Sequence, residues 1–150
     1  MNASVVGYKL VVSDVERSLN FYGSLFGFTQ TLRAEFTGPD VTEVLLSDAN
    51  GNRAFALISG DVQPVPSPKW VPMALQVDNL APFHKAILEG GHELVVEPTS
   101  LGPVEILMVA DPDGYLIEVI CGDMDNLDGF PVGVKIPHPS PEIQDWLSRR

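Results

Sequence analysis

The apolar positions of the chain follow two periods in turn. Alternation of apolar and polar residues, the mark of a strand with two distinct faces, runs through Val5–Val12, Phe28–Ala34, Val41–Ser47 and Ala54–Ile58. Between the first two, Val15, Leu19, Tyr22, Leu25 and Phe26 recur at helical spacing. Ser13 or Asp14 is the expected cap of that helix, Glu16 sits in its first turn, and Gly27 stops it. Gly38-Pro39-Asp40 breaks the second strand, and Asp48-Ala49-Asn50-Gly51 is a hairpin turn. A proline-rich connector, 62–69, cannot enter a central strand or helix. The same order then returns. Trp70–Val77 reads as a strand, and Asp78 or Asn79 caps a helix with Pro82 near its start. Phe83, Ala86, Ile87 and Leu88 form its apolar stripe, and Gly90-Gly91 ends it. Glu93–Val96, Val104–Ala110 and the run after Asp111-Pro112-Asp113-Gly114 give three further strands.

Two copies of strand–helix–strand–strand–strand therefore lie in tandem, at about 5–61 and 70–123, with ALISGD (from Ala56) and EVICGD (from Glu118) in the same place in each. Neither copy alone buries both its helix and its sheet face well. The predicted fold is α+β: two βαβββ modules pairing to form a curved mixed sheet around a cleft, helices outside. Residues 124–150 form an extension. Ser140 as cap and Pro141 at the first helical position start a short C-terminal helix striped by Ile143, Trp146 and Leu147. A helix this short is marginal alone, so it is expected to dock on the body or on a second subunit.

Composition narrows the function. A hydrophobic content of 45% and a charged content of 19% describe a globule and argue against disorder. The formal net charge of -11 argues against nucleic acid, whose phosphates need clustered Lys and Arg; it leans toward cationic ligands less than it describes a solvated acidic surface that aids solubility. Cys121 is the only cysteine, so no intrachain disulfide forms, and nothing basic beside it suggests an activated thiolate. With no signal peptide and no apolar run near membrane length, a cytoplasmic protein without a membrane partner is expected.

One carboxylate interrupts the apolar pattern of the last strand. Glu118 shares a face with Leu116 and Ile120, and a carboxylate in such a run is at an edge, paired, or facing a wet pocket. The repeat carries Ser13-Asp14-Val15-Glu16-Arg17-Ser18, Phe21-Tyr22 and Leu25-Phe26-Gly27-Phe28 in its first half. The second half carries Val77-Asp78-Asn79-Leu80, Gly90-Gly91 and Asp111-Pro112-Asp113-Gly114 through Glu118. With these motifs the chain resembles the vicinal oxygen chelate superfamily, which includes glyoxalase I, bleomycin-resistance proteins, fosfomycin-resistance enzymes and extradiol dioxygenases. The resemblance covers roughly Val5 to Asp123 and implies the paired-module fold. For metal-dependent members it implies a His on each first strand and a Glu on one or both last strands. Those places fall here on Gly7, Pro72, Ala56 and Glu118, of which only Glu118 matches. Gly, Pro and Ala have no side-chain donor, and one carboxylate cannot hold a catalytic cation unaided, so no metal or other cofactor is expected. His84, His92 and His138 read as surface residues.

Face parity, with the resemblance, directs Lys9, Gln76 and Glu118 into the cleft together with Ala56, Glu43, Leu45, Ile106 and Met108. A bulge in either hairpin would substitute Thr42 for Glu43 or Glu105 for Ile106. Lys9 pairs with Glu118 or Glu43, either as simple neutralisation or to orient a ligand. In a catalytic version Glu118 is a general base and Lys9 stabilises an oxyanion or enolate. Small residues at the vacated places leave room for an apolar or aromatic molecule, with Phe36, Phe55, Trp70 and Met108 as walls. The candidate ligand-binding set is thus Lys9, Glu43, Phe55, Ala56, Trp70, Gln76, Met108 and Glu118. Four functions compete. The first is a metal-free, homodimeric binding protein of the bleomycin-resistance type, holding an apolar or cationic ligand. The second is a metal-independent lyase or isomerase acting through Glu118. The third, which the missing histidines disfavour, is a metal-dependent glyoxalase or dioxygenase. The fourth is a non-catalytic partner domain docking through its C-terminal helix.

Overall fold

A computed structural model describes residue 3 and residues 7–62, 72–123 and 140–149. Val5, Val6, Trp70, His138 and most of the connector lie outside the described residues. The chain divides into two units, 1–66 and 67–150. The first contains β1 (Lys9–Val11), α1 (Val15–Phe26), β2 (Thr29–Phe36), β3 (Val41–Ser47) and β4 (Arg53–Gly60). Its sheet runs β1-β4-β3-β2, with β1 parallel to β4 and the other pairs antiparallel. The second contains β5 (Ala74–Val77), α2 (Leu80–Glu89), β6 (Glu93–Leu101), β7 (Val104–Ala110), β8 (Leu116–Gly122) and α3 (Glu142–Ser148). Its sheet repeats the pattern as β5-β8-β7-β6, again with one parallel pair. The fold is α+β, built of two βαβββ modules and a short C-terminal helix.

Local chemistry explains the elements. The Asp14 carboxylate accepts from the Arg17 backbone N–H at 3.0 Å, and Gly27 takes a left-handed φ of 74° to end α1. Val15, Phe21, Tyr22 and Leu25 form the buried face of α1, which packs against β2 and β4. Phe55 meets Tyr22 and Phe28 edge-on there, with ring centroids 5.0 and 5.3 Å apart. Leu10, Leu57 and Val44 stand in one row of the sheet and are all buried.

In the second unit Asn79 is the cap of α2, accepting from the Ala81 N–H at 2.9 Å. Ile87 is fully buried, but Leu88 is 56% exposed and leaves the expected stripe, because the adjacent helical position turns away from the sheet. β6 runs to Leu101, well past the expected Val96. Two register shifts break its alternation, and its place at the end of the strand order tolerates Pro98. At α3 the cap position is Pro141 and not Ser140, with no side-chain capping bond; the Ser140 carbonyl accepts from the Ile143 N–H at 3.3 Å. α3 docks on its own unit. Ile143 and Trp146 are each 3% exposed, in one cluster with Val96, Ile106, Met108 and Leu116. The Trp146 Nε1–H donates to Glu93 Oε1 at 3.0 Å.

The repeated Gly-Asp pair has a steric cause. Gly60 and Gly122 close β4 and β8 with φ of 117° and 130°. A Cβ at Gly60 would collide with the Asp40 carbonyl oxygen, and at Gly122 it would stand 3.0 Å from that of Pro103. No helix among the described residues is long and apolar enough to cross a membrane.

Candidate functional site

Strand register decides which side chains share the face of the first sheet opposite the buried row. Lys9, Ala56, Leu45 and Leu32 stand in one row across the four strands, and Val11, Ile58, Glu43 and Ala34 in the next. The register shift of β3 against β4 falls between Leu45 and Ser47, beyond Glu43, so Glu43 and not Thr42 shares the face of Lys9. Lys9 and Glu43 are therefore diagonal neighbours across β4. Ala56, between them, carries only a methyl, and over it Lys9 Nζ reaches Glu43 Oε2 at 2.8 Å. Of the two carboxylates expected for Lys9, Glu43 stands at hydrogen-bonding distance. The two side chains are 56% and 24% exposed, so water screens the pair and it adds about 0–1 kcal/mol to stability.

A pocket of about 340 Å³ opens on this face. Leu32, Leu45, Ala54 and Ala56 give it an apolar lining, Lys9, Glu43 and Arg53 its charges, and Gly7, Tyr8 and Phe55 complete it. Phe55 is 1% exposed and borders the pocket from the core, its ring stacked on Tyr8 at 5.7 Å. Partial burial pushes the Tyr8 phenol above its ordinary pKa, so at neutral pH it is a protonated hydrogen-bond donor. Tyr8 and Arg53 were not expected at the site. Arg53 follows the Asp48–Gly51 turn, where an arginine reads as solvated surface. The available signal was the parallel pairing of first and last strands, which brings the start of β4 beside the start of β1.

The remaining candidates lie in the second unit. There Ala74, Glu118, Met108 and Val96 form the row that corresponds to Lys9, Ala56, Leu45 and Leu32. The β7–β8 register is unbroken, so Ile106 and not Glu105 shares the face of Glu118. Ile143 and Trp146 of α3 pack on this face, and Met108 is 3% exposed beneath them. A helix thus stands where Met108 was expected to form an open wall. Glu118 is half-buried on the same face, opposite Met108. Gln76 is exposed, and its Nε2 donates to the Gly122 carbonyl at 3.0 Å. Trp70 lies outside the described residues. Phe36, 53% exposed at the end of β2, does not line the pocket. The structure therefore gathers Lys9, Glu43, Phe55 and Ala56 at one pocket and places Gln76, Met108 and Glu118 in the other unit.

The pocket's donor set does not fit a metal. Its one carboxylate is bonded to an ammonium, its other charged group is a guanidinium, and Gly7 and Ala56 supply no side-chain donor. Among the described residues no three His, Cys, Asp or Glu side chains stand together as a metal site. His84 Nε2 lies 2.8 Å from Glu97 Oε2, joining α2 to β6.

Comparison with known proteins accords with this architecture. The model of the Glyoxalase/Bleomycin resistance protein/Dioxygenase superfamily matches residues 4–119. The chain belongs to that superfamily. Solved structures of similar fold include a glyoxylase/bleomycin resistance protein/dioxygenase domain from Frankia sp. EAN1pec, 16% identical with a TM-score of 0.67 over 82% of this chain and 100% of that one. TnmS3, an antibiotic binding protein from Streptomyces sp. CB03234, is 21% identical with a TM-score of 0.66 over 82% and 99%. The fosfomycin resistance protein FosX from Listeria monocytogenes, solved with Mn(II) and sulfate, is 19% identical with a TM-score of 0.63 over 83% and 97%. At these identities the likeness is one of fold. A sequence comparison with curated proteins returned no match.

Proposed function

We propose that this superfamily member is a metal-free small-molecule binding protein, a cytoplasmic homodimer that holds an apolar ligand in the pocket of its first unit. The pocket carries the reading. Its volume, about 340 Å³, lies in the range of small-molecule sites, and Leu32, Leu45, Ala54 and Ala56 give it an apolar lining. The Lys9–Glu43 pair on the same face offers orientation and no strong nucleophile or metal. Glycine and alanine at Gly7 and Ala56 leave space where a ligating side chain would intrude. TnmS3, described as antibiotic binding, shares the fold and supports the binding reading. Exposed Phe36 at the end of β2, outside the pocket lining, offers a second copy apolar surface.

Native mass spectrometry with elemental analysis of freshly purified protein tests the assembly and the metal. The expected result is a dimer mass without stoichiometric transition metal. A full equivalent of zinc, nickel, iron or manganese overturns the metal-free part, and a monomer overturns the homodimer. A thermal-shift screen of small aromatic compounds tests the pocket: binders are expected to raise the melting temperature of the wild type and not of Ala56→Trp. Equal shifts in both proteins overturn the site.

A further inference from the structure

We propose that the ligand of this pocket carries an acidic group, a carboxylate or sulfonate on an apolar aromatic-sized body, and that Arg53 is the residue that selects it. This rests on the reading of the pocket as a small-molecule site. Three ionic side chains line it: Lys9, Glu43 and Arg53. Glu43 is committed to Lys9 at 2.8 Å, which leaves the guanidinium as the surplus charge. Among the described residues, the Arg53 side chain makes no hydrogen bond or ion pair. The other described cations are engaged. Arg33 bridges Glu16 and Glu35, Arg17 bonds Ser13, Lys85 lies near Glu89, and Arg149 bonds the Asp145 carbonyl.

That exception stands out because the chain holds 20 acidic residues against 9 Lys and Arg. With carboxylates in such excess, an arginine without one, beside an apolar lining, keeps its donors for a ligand. The net charge of -11 attracts cations at long range, yet exposed charges beyond about one Debye length, roughly 8 Å at physiological salt, are largely screened. At contact distance the local balance is one positive charge. A planar guanidinium matches the paired oxygens of a carboxylate or sulfonate in a way an amine or neutral ligand cannot use. Lys9, whose ammonium has donors beyond the one given to Glu43, lies on the same pocket.

Two dyes of one shape separate the possibilities: anilinonaphthalene sulfonate and its neutral counterpart N-phenylnaphthylamine, titrated by fluorescence into the full chain at physiological salt, where the net charge is screened. The sulfonate is expected to bind about tenfold more tightly, the effect of one charge-assisted contact at a partly hydrated site. Arg53→Gln is expected to weaken the sulfonate about tenfold relative to the neutral dye and so remove that preference. Leu32→Glu, on an exposed position of the pocket where folding is not at stake, is expected to weaken the sulfonate selectively by repulsion. Equal affinities in the wild type, or a preference that survives Arg53→Gln, overturn the acidic group even where Ala56→Trp abolishes binding of both dyes. If neither dye binds, or both bind and Ala56→Trp and Leu32→Glu change neither, the pocket reading itself falls and this inference with it.

Discussion

Replacing Trp146 by alanine tests whether α3 is part of the second unit's core. The indole is 3% exposed and packs with Ile143 over Val96, Met108 and Leu116. Truncating a buried Trp to Ala costs about 3–5 kcal/mol when the cavity stays sealed. Here α3 has seven residues and no side-chain cap, so it cannot persist undocked and the cavity does not stay sealed. Undocking also wets the apolar face beneath, and a buried side chain of that size is worth about 1.5–3 kcal/mol. The bond to Glu93 adds little, because Glu93 is exposed and rehydrates when the indole leaves. The expected loss is therefore about 3 kcal/mol. With a urea slope of about 1–3 kcal/mol/M, the midpoint followed by circular dichroism falls by about 1–3 M. Glu93→Gln keeps an acceptor for the indole and is expected to cost under about 1 kcal/mol. A Trp146→Ala midpoint no lower than that of Glu93→Gln would refute the reasoning.

Gly122→Ala is expected to cost about 1–3 kcal/mol by calorimetry, from a strained φ and the close Pro103 oxygen, and Gly60→Ala more, since the Asp40 oxygen is closer still; the reverse ranking would contradict the steric account. Glu43→Gln removes a screened pair and is expected to change unfolding free energy by no more than about 1 kcal/mol, so a larger loss in urea denaturation would show that the pair carries the fold. The Asp48 carboxylate accepts from the backbone and side chain of Asn52 and from the backbone of Asn50, which holds its pKa below the ordinary aspartate value. A depressed folded value means that this stabilisation is complete above the ordinary value and is lost as pH falls through the folded one. The stability difference between wild type and Asp48→Asn is accordingly expected at neutral pH and absent in strong acid, and a pH-independent difference would assign it to geometry alone.

Much of the fold was legible because it is written in short-range chemistry. Asp14, Asn79 and Gly27 act within their own turns, and β3 and β7 keep an unbroken register against β4 and β8 around Glu43 and Met108. The repeat made the strand order of one half a guide to the other. What failed to show depended on neighbours distant in sequence. The strand expected to stop at Val96 runs on to Leu101, because nothing local says that β6 lies at the end of its sheet. Leu88 looked buried because apolar character alone does not fix how far a stripe extends around a helix. The site was half legible: parity placed Lys9, Glu43 and Ala56 on one face, whereas Arg53 enters only through the parallel pairing of β1 with β4. The covering of Met108 needed Ile143 and Trp146, more than thirty residues onward, to find that one face.

The docking of α3 also breaks the symmetry of the duplication. Each module has a sheet face in the same position, but in the second unit α3 covers Met108 and Val96, whereas in the first the pocket lies on that face. If the pocket binds as proposed, one chain takes up one ligand at that face, with no second like site inside the polypeptide to couple to it.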